Sequence, residues 1–588
     1  MKHLRRLAPY ARKRKYLIMA AIASSLISQG AFLIMPKLLG DIVDQVFQGG
    51  QRDRLAFYGL LILFLSVVRG AFNFLEIIAG ARCGQAVLLD LRQDLYAHLC
   101  RLSFTYFDKT RTGQLISRIT SDLEPVSMFL TWGFRMIFKN ILLFVGVVVI
   151  CLRMHVTLTL VSMSALPLLT LTAMVIGGKI RPAYESAREQ LGVLTSLLQE
   201  NIQGIRLIKM YVKEKAEIAR FEQESETLRE KTYKAQRLDA IYYPITGLWA
   251  GLASLLVLWY GGLQVINGSL TLGEYVAFET YLIFITLPTR MLGFMVSAML
   301  RTDASMERVH AIIDAVPDIT SPPRAASHSP VSGRVDFEDV SFGYTHESST
   351  LTDLAFTIEA EETVGIIGAT GCGKSTLISL IPRFYDPQRG RVLIDGHDVR
   401  QWELSALRRQ IGIVFQDTFL FSGTLRDNIA YANPDTDDED VARVARLAAL
   451  DEFIQQLPEG YDTVVGERGE RLSGGQQQRL SIARTLLWQP RILLLDDCTS
   501  SLDTHTEYQI QQNLESERKG RTTIIIAQRA SALSTADRVF VLESGRVVET
   551  GTPSSLARDT GSLYARLRAS QGPSGTDDPL PTTPEGVP

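Results

Sequence analysis

Six apolar runs of near-bilayer length limit what this chain can fold into more severely than any other feature. They occupy residues 16–39, 55–79, 134–152, 156–178, 243–266 and 275–300. A helix needs about twenty apolar residues to cross the hydrocarbon core, and there each backbone N–H and C=O must be satisfied within its own segment. The N-terminal half is therefore expected to be a six-span helical membrane domain. Lysine and arginine crowd one set of connections: Arg5, Arg6, Arg12, Lys13, Arg14 and Lys15, then residues 92–118 and 179–237. The connections near 48–54, 153–155 and 267–271 carry far fewer. Cationic loops stay on the cytosolic face, so an even number of crossings is expected to leave both termini in the cytosol. The basic start resembles a signal peptide only superficially, because it has no convincing small-residue cleavage site and leads into a long apolar run.

Two long polar stretches, 82–122 and 179–237, are too charged for lipid and too periodic for coil. They are expected to carry the spanning helices into the cytosol and to turn back around 107–115 and 203–211, where they touch a second domain. Residues 316–333 form a Pro/Ser-rich linker between a membrane domain (1–315) and a second domain (334–570), and 571–588 form a Pro/Gly/Thr-rich tail expected to be disordered. From Arg334 onward short β-branched runs alternate with helical patterns. Strands are expected at 335–337, 364–367, 391–394, 411–414, 492–495, 523–527 and 539–542, a mixed α/β domain.

That domain carries its chemistry in ordered strings. Gly368-Ala369-Thr370-Gly371-Cys372-Gly373-Lys374-Ser375-Thr376 follows the apolar run 363–367 and opens a helix over 375–380. In this setting glycines let backbone N–H groups converge on phosphates, and Lys374 supplies charge to the β and γ oxygens. Further on, 492–495 delivers Asp496 and Asp497, and Asp496 with Ser375 is expected to hold Mg²⁺. Leu472-Ser473-Gly474-Gly475-Gln476 opens a helix whose N–H groups and positive end suit a γ-phosphate. The net charge of −2 offers no phosphate-neutralising surface, which argues against a nucleic-acid partner. Cys83, Cys100, Cys151, Cys372 and Cys498 show no paired spacing and are expected to be reduced, buried or half-buried residues.

Together these strings resemble a half-size ATP-binding cassette (ABC) exporter of the multidrug or lipid type over residues 1–570. The resemblance implies an exporter-type six-helix membrane domain with long cytosolic extensions, fused to a P-loop ATPase that uses ATP and Mg²⁺. Tyr344 resembles the aromatic that stacks on adenine, and Gln416 the lid glutamine that reaches Mg²⁺ or the attacking water. The stretch 465–469 resembles the exporter segment that senses the cytosolic loops, and Ser500-Ser501-Leu502-Asp503, with Ser501 and Asp503, resembles the loop that crosses to the other cassette. Because a signature string cannot fold onto its own phosphate loop, the resemblance implies a dimer with two sandwiched ATP molecules.

The chain departs from the family pattern twice in one site. Asp497 stands where a catalytic glutamate is usual, and Gln528 where a histidine usually contacts the γ-phosphate. An aspartate is one methylene shorter, which withdraws its oxygens by roughly an ångström from the water that a general base must reach, and that can cost on the order of a hundredfold in rate. With the signature intact, the pattern resembles the degenerate-site subunit of a heterodimeric exporter; the alternatives are a homodimer with slow hydrolysis and an ATP-gated channel or regulatory subunit. A soluble ABC ATPase is excluded by the apolar runs. For cargo, Arg69, Asn73 and Glu76 form one polar stripe that lines a cavity or satisfies partner charges. Phe278, Tyr281 and Phe284, with Pro288 and Arg290, suit hydrophobic or amphipathic cargo or serve packing. Drugs, lipids and peptides all remain open, and the expected location is a bacterial inner or plasma membrane.

Overall fold

The computed structural model describes residues 2–323, 325, 331–345 and 349–570; the side chains of 286–294 and of eight scattered positions are not among those described. The expected tail at 571–588, much of the linker at 326–330, and the side chains of Pro288 and Arg290 lie outside the described residues. The chain divides into two compact units, one of Met1–Arg101 with Arg111–Ala315, the other of Leu102–Thr110 with Val316–Pro588.

The first unit is helical. Its long helices are Lys15–Ile42, Arg54–Leu99, Phe134–Met154, Ala165–Gln203, Glu214–Ile266 and Leu272–Ile313. Among the described residues, four helical stretches are long and apolar enough to cross a membrane: Lys15–Gln48, Arg54–Leu99, Thr112–Met154 and Glu214–Ile266. The two other expected spans are helical as well, and each includes side chains outside the described residues. Residues 156–178 are divided at Ser164 between the helices Val156–Met163 and Ala165–Gln203, and 275–300 lies inside Leu272–Ile313. Phe57, Leu60, Leu63, Phe64, Val67 and Phe74 stand exposed along the Arg54–Leu99 helix. An apolar face of that extent is suited to hydrocarbon, not water.

Packing inside this unit depends on small residues and local caps. A Cβ on Gly273 would lie 2.1 Å from the carbonyl oxygen of Gly40, so only glycine lets the Lys15–Ile42 and Leu272–Ile313 helices approach this closely. At the same crossing Asp44 accepts 2.6 Å hydrogen bonds from the Thr271 hydroxyl and the Gly273 N–H, capping the second helix. Thr271 and Glu274 complete a reciprocal capping box there. Leu143, Val147, Leu158, Val257, Phe278, Tyr281 and Ile285 form a buried cluster, with Tyr281 donating to the Leu33 carbonyl at 2.7 Å.

The second unit contains two sheets. Strands β1 (Val335–Phe342), β2 (Leu351–Ile358), β4 (Arg389–Ile394) and β5 (His397–Asp398) form an antiparallel sheet in the order β2-β1-β4-β5. Strands β3 (Thr363–Ile367), β6 (Ile411–Val414), β7 (Ile492–Asp496), β8 (Thr522–Ile526), β9 (Arg538–Glu543) and β10 (Arg546–Gly551) form the order β10-β9-β3-β8-β7-β6. β3, β7 and β8 are buried at every position, as expected of parallel strands covered on both faces. Each strand expected from the sequence is present; β2, β5 and β10 are additions.

Candidate functional site

The phosphate loop leaves the C-terminal end of β3 and enters the Lys374–Leu380 helix. Gly371 and Gly373 sit at φ of 82° and 105°, where a side chain would be strained. Here Lys374 folds back over the loop, donating to the carbonyls of Gly368 and Ala369 at 2.8 and 2.9 Å. Parallel pairing places β8 between β3 and β7, so Asp496 at the end of β7 and Gln528 just beyond β8 converge on the loop.

A cavity of about 310 Å³ results, lined by Tyr344, Thr350, Thr370, Gly371, Gly373, Lys374, Ser375, Thr376, Gln416, Asp496, Asp497, Ile526 and Gln528. Tyr344 hydrogen-bonds Thr376, thirty-two residues along the chain, through its hydroxyl at 3.1 Å and packs edge-on against Phe342 and Tyr385. Its ring is 47% exposed, leaving it free to stack on a planar base. Asp496 is buried, and one of its carboxylate oxygens has no hydrogen-bond partner. Burial pushes its carboxyl above the ordinary aspartate value, a hydrogen bond with Ser375 opposing the shift. An orphaned oxygen beside a serine hydroxyl and an exposed glutamine amide is the all-oxygen donor set that suits Mg²⁺.

Asp497 takes the left-handed backbone conformation, φ 46°. Its N–H donates to the Ile526 carbonyl at 2.9 Å, and its carboxylate accepts from the Gln528 side-chain amide at 3.0 Å. Burial raises this carboxyl too, against the Gln528 backbone N–H and the charges of Lys374 and Arg529. The two residues that depart from the family pattern are thus bonded to each other.

Residues 472–476 are absent from the lining of this cavity. Ser473 caps the Gly474–Leu487 helix in a reciprocal box with Gln476, and Ser473 and Gly474 are exposed. Behind them Gln478 donates to the Ser500 hydroxyl at 3.3 Å and accepts from the Ser501 N–H at 3.1 Å. Asp503 accepts from the Thr506 N–H at 2.9 Å and so caps the Thr504–Arg518 helix. Gln478 was not singled out by the sequence; its place one turn into the signature helix is the signal that finds it.

Aromatic contacts extend the site in another direction. Phe104 packs against Phe384 with ring centroids 4.4 Å apart, and the Tyr385 hydroxyl donates to Asp108 at 2.7 Å. Leu102–Thr110 is thereby part of the second unit, a few residues N-terminal to the expected contact at 107–115. In the other expected turn, the helix Ile205–Met210 and the two residues after it expose Leu207, Met210, Tyr211 and Val212.

The candidate cargo residues are engaged in packing and ion pairs within the helical unit. Arg69 and Glu76 do not satisfy each other: the Arg69 guanidinium lies 3.9 Å from the centre of the Phe32 ring, while Glu76, fully buried, faces Arg135 at 3.6 Å and Lys139 at 3.7 Å. Lys139 also donates to Asn73 at 2.9 Å. Both cations sit on the Phe134–Met154 helix, one helical turn apart. Phe278 and Tyr281 are core residues, and Phe284 stacks on Phe32 at 4.2 Å. Of the cysteines expected to be buried or half-buried, Cys100 is exposed, because the Arg54–Leu99 helix ends just before it.

Membrane-length helices joined to a P-loop α/β domain with a cavity of nucleotide size define an ATP-driven membrane protein. Comparison with known proteins narrows that class. A family model for the ABC transporter transmembrane region matches residues 18–289, and one for the ABC transporter ATPase, described simply as ABC transporter, matches 351–500. An ATP-dependent lipid A-core flippase of Syntrophus aciditrophicus (strain SB) is 38% identical over 92% of this chain and 89% of that protein. YgaD of Bacillus subtilis (strain 168), provisionally named for multidrug export, is 36% identical over 96% and 98%. A solved bacterial Atm1-family ABC exporter with ATP bound superposes with a TM-score of 0.81 at 30% identity, covering 96% of this chain and 99% of that one. The chain belongs to the ABC transporter family, as an exporter half-transporter whose membrane and nucleotide-binding parts share one polypeptide. Its C-terminal domain is an ABC ATPase coupled to transmembrane transport.

Proposed function

We propose that this chain exports or flips a hydrophobic or amphipathic substrate by alternating access, as one subunit of a heterodimer whose ATP site on this chain hydrolyses slowly. The observation that carries the reading is the Asp497–Gln528 hydrogen bond. A carboxylate one methylene short and already engaged by an amide is poorly placed to orient an attacking water, and glutamine cannot become cationic as charge develops on the γ-phosphate. Tyr344 stacks on adenine, the loop 368–376 holds the phosphates, and Lys374 turns from its two carbonyls to the β and γ oxygens. Ser375, Asp496 and Gln416 would hold Mg²⁺, which supplies charge neutralisation at those oxygens.

The exposed signature, outside its own cavity, supports a second cassette as partner, with Leu472–Gln476 closing over the partner's ATP and Ser501 and Asp503 in the loop between cassettes. The apolar tip at Leu207–Val212 supports the same conclusion, since that much exposed apolar surface implies a covering surface. Closure of two cassettes on ATP would pull on the segments near 102–110 and 205–210 and open the membrane cavity outward; hydrolysis at the partner's site resets it. The names of the flippase and multidrug relatives support an amphipathic cargo. Both termini and the ATPase would then face the cytosol, in a bacterial plasma membrane. The test is ATPase and transport by the purified chain alone against the chain co-expressed with a co-transcribed half-transporter. Vigorous turnover and transport by the lone chain would reject the heterodimer and leave a homodimer.

A further inference from the structure

Residues 2–15 form a cationic surface that the export reading does not use. The short helix Ala8–Arg12 and the turn before it are fastened to the helical unit at four points. The Leu4 N–H donates to Asp303 at 3.0 Å, Arg6 pairs with Asp314 at 2.6 Å, Tyr10 donates to Asp94 at 2.9 Å, and Arg14 meets Asp90 at 3.5 Å. These contacts engage Asp90 and Asp94 of the Arg54–Leu99 helix, Asp303 of the Leu272–Ile313 helix and Asp314 at the C-cap of the latter. They also hold the segment in one orientation. In that orientation Arg5, Arg12, Lys13 and Lys15 are exposed, and none of them makes an ion pair among the described residues. Lys13 and Lys15 lie instead over the rings of Tyr10 and Tyr16, at 5.7 and 5.2 Å.

Immediately after these cations the apolar, outward face of the first spanning helix begins, with Tyr16 74% and Met19 62% exposed. An exposed tyrosine at the end of a spanning helix marks headgroup depth. Unpaired cations fixed at that depth complement acidic headgroups, because a juxtamembrane basic cluster is attracted to an anionic leaflet by roughly 1 kcal/mol per charge.

We propose that this surface binds acidic phospholipid headgroups of the adjoining leaflet, with Arg5, Arg12, Lys13 and Lys15 as the contacting cations. The site shares no residue with the nucleotide cavity or with the Glu76 cluster, and it takes lipid as a fixed partner, not as cargo.

The experiment uses the full chain in nanodiscs of phosphatidylcholine with or without phosphatidylglycerol, reading retained lipid after delipidating washes and thermal midpoint. Phosphatidylglycerol is expected to be retained selectively and to raise the midpoint. The quadruple variant R5Q/R12Q/K13Q/K15Q is expected to retain at least tenfold less. A variant with all four positions cationic but exchanged, R5K/R12K/K13R/K15R, keeps retention and shows that charge is what is read. High salt is expected to weaken retention in proportion, and inorganic phosphate at matched concentration to leave the midpoint unmoved. Equal retention by wild type and quadruple variant, or a midpoint shift of the same size with phosphatidylcholine alone, overturns the proposal. Neither readout depends on ATP turnover, so failure here is distinct from failure of the heterodimer reading.

Discussion

At the scale of single residues, the ATP site sets electrostatic cost against chemistry. Asp497→Glu is expected to raise ATPase only a few-fold, because Gln528 remains; joining it to Gln528→His is expected to raise turnover by at least about tenfold more. Steady-state hydrolysis at saturating ATP reads both. Burial raises the Asp496 and Asp497 carboxyls, so each binds its proton more tightly folded than unfolded. The nucleotide-free fold therefore loses stability as pH rises from the unfolded value of about 4 through the raised folded value, and the loss persists above it. Asp496→Asn is expected to flatten that slope and to stabilise the empty protein at neutral pH by on the order of 1 kcal/mol. That corresponds to about 2–4 °C in the cassette's thermal midpoint. The same substitution removes Mg²⁺-dependent ATP binding, and a rise in the empty-state midpoint without loss of binding would contradict the assignment.

At the scale of elements, the parallel strands were the easiest to read. Ile492–Asp496 and Thr522–Ile526 are continuous apolar runs because both faces are covered, and their ends carry the acids and the glutamine. β2 escaped notice because Asp353 interrupts it, in the left-handed region at φ 48°, where a sequence pattern reads as a turn. β10 carried a usable signal, Ser544-Gly545 between two β-branched runs, both at positive φ as a tight hairpin requires. The partners of Glu76 were not legible: Arg135 and Lys139 lie on a different helix, and helical periodicity reports only neighbours on the same one. The Tyr344–Tyr385–Asp108 chain was likewise hidden, since it joins three separate segments. Tyr385→Phe is expected to cost about 1 kcal/mol of stability, Asp108 being exposed, while lowering cargo moved per ATP. Paired transport and ATPase assays test that split. Gly273→Ala, which drives a methyl into the Gly40 carbonyl, is expected to destabilise the helical unit by roughly 1–3 kcal/mol, read as a lower midpoint in detergent.

At the scale of the whole molecule, the proposed heterodimer would carry two unlike ATP sites. In nucleotide trapping with the co-expressed partner, ATP bound at Lys374 should exchange more slowly than ATP at the partner's phosphate loop; equal exchange would point to matched sites. Between the two units the chain passes three times, at residues 101–102, 110–111 and 315–316, since Leu102–Thr110 belongs with the cassette. A fragment beginning at Val316 would consequently lack Phe104 and Asp108, baring Phe384 and Tyr385 to water. Such an excised ATPase should be sticky and prone to self-association, and supplying the missing nonapeptide in trans should restore its solubility. For the same reason, grafting this motor onto a foreign pore demands transplanting that short loop along with it.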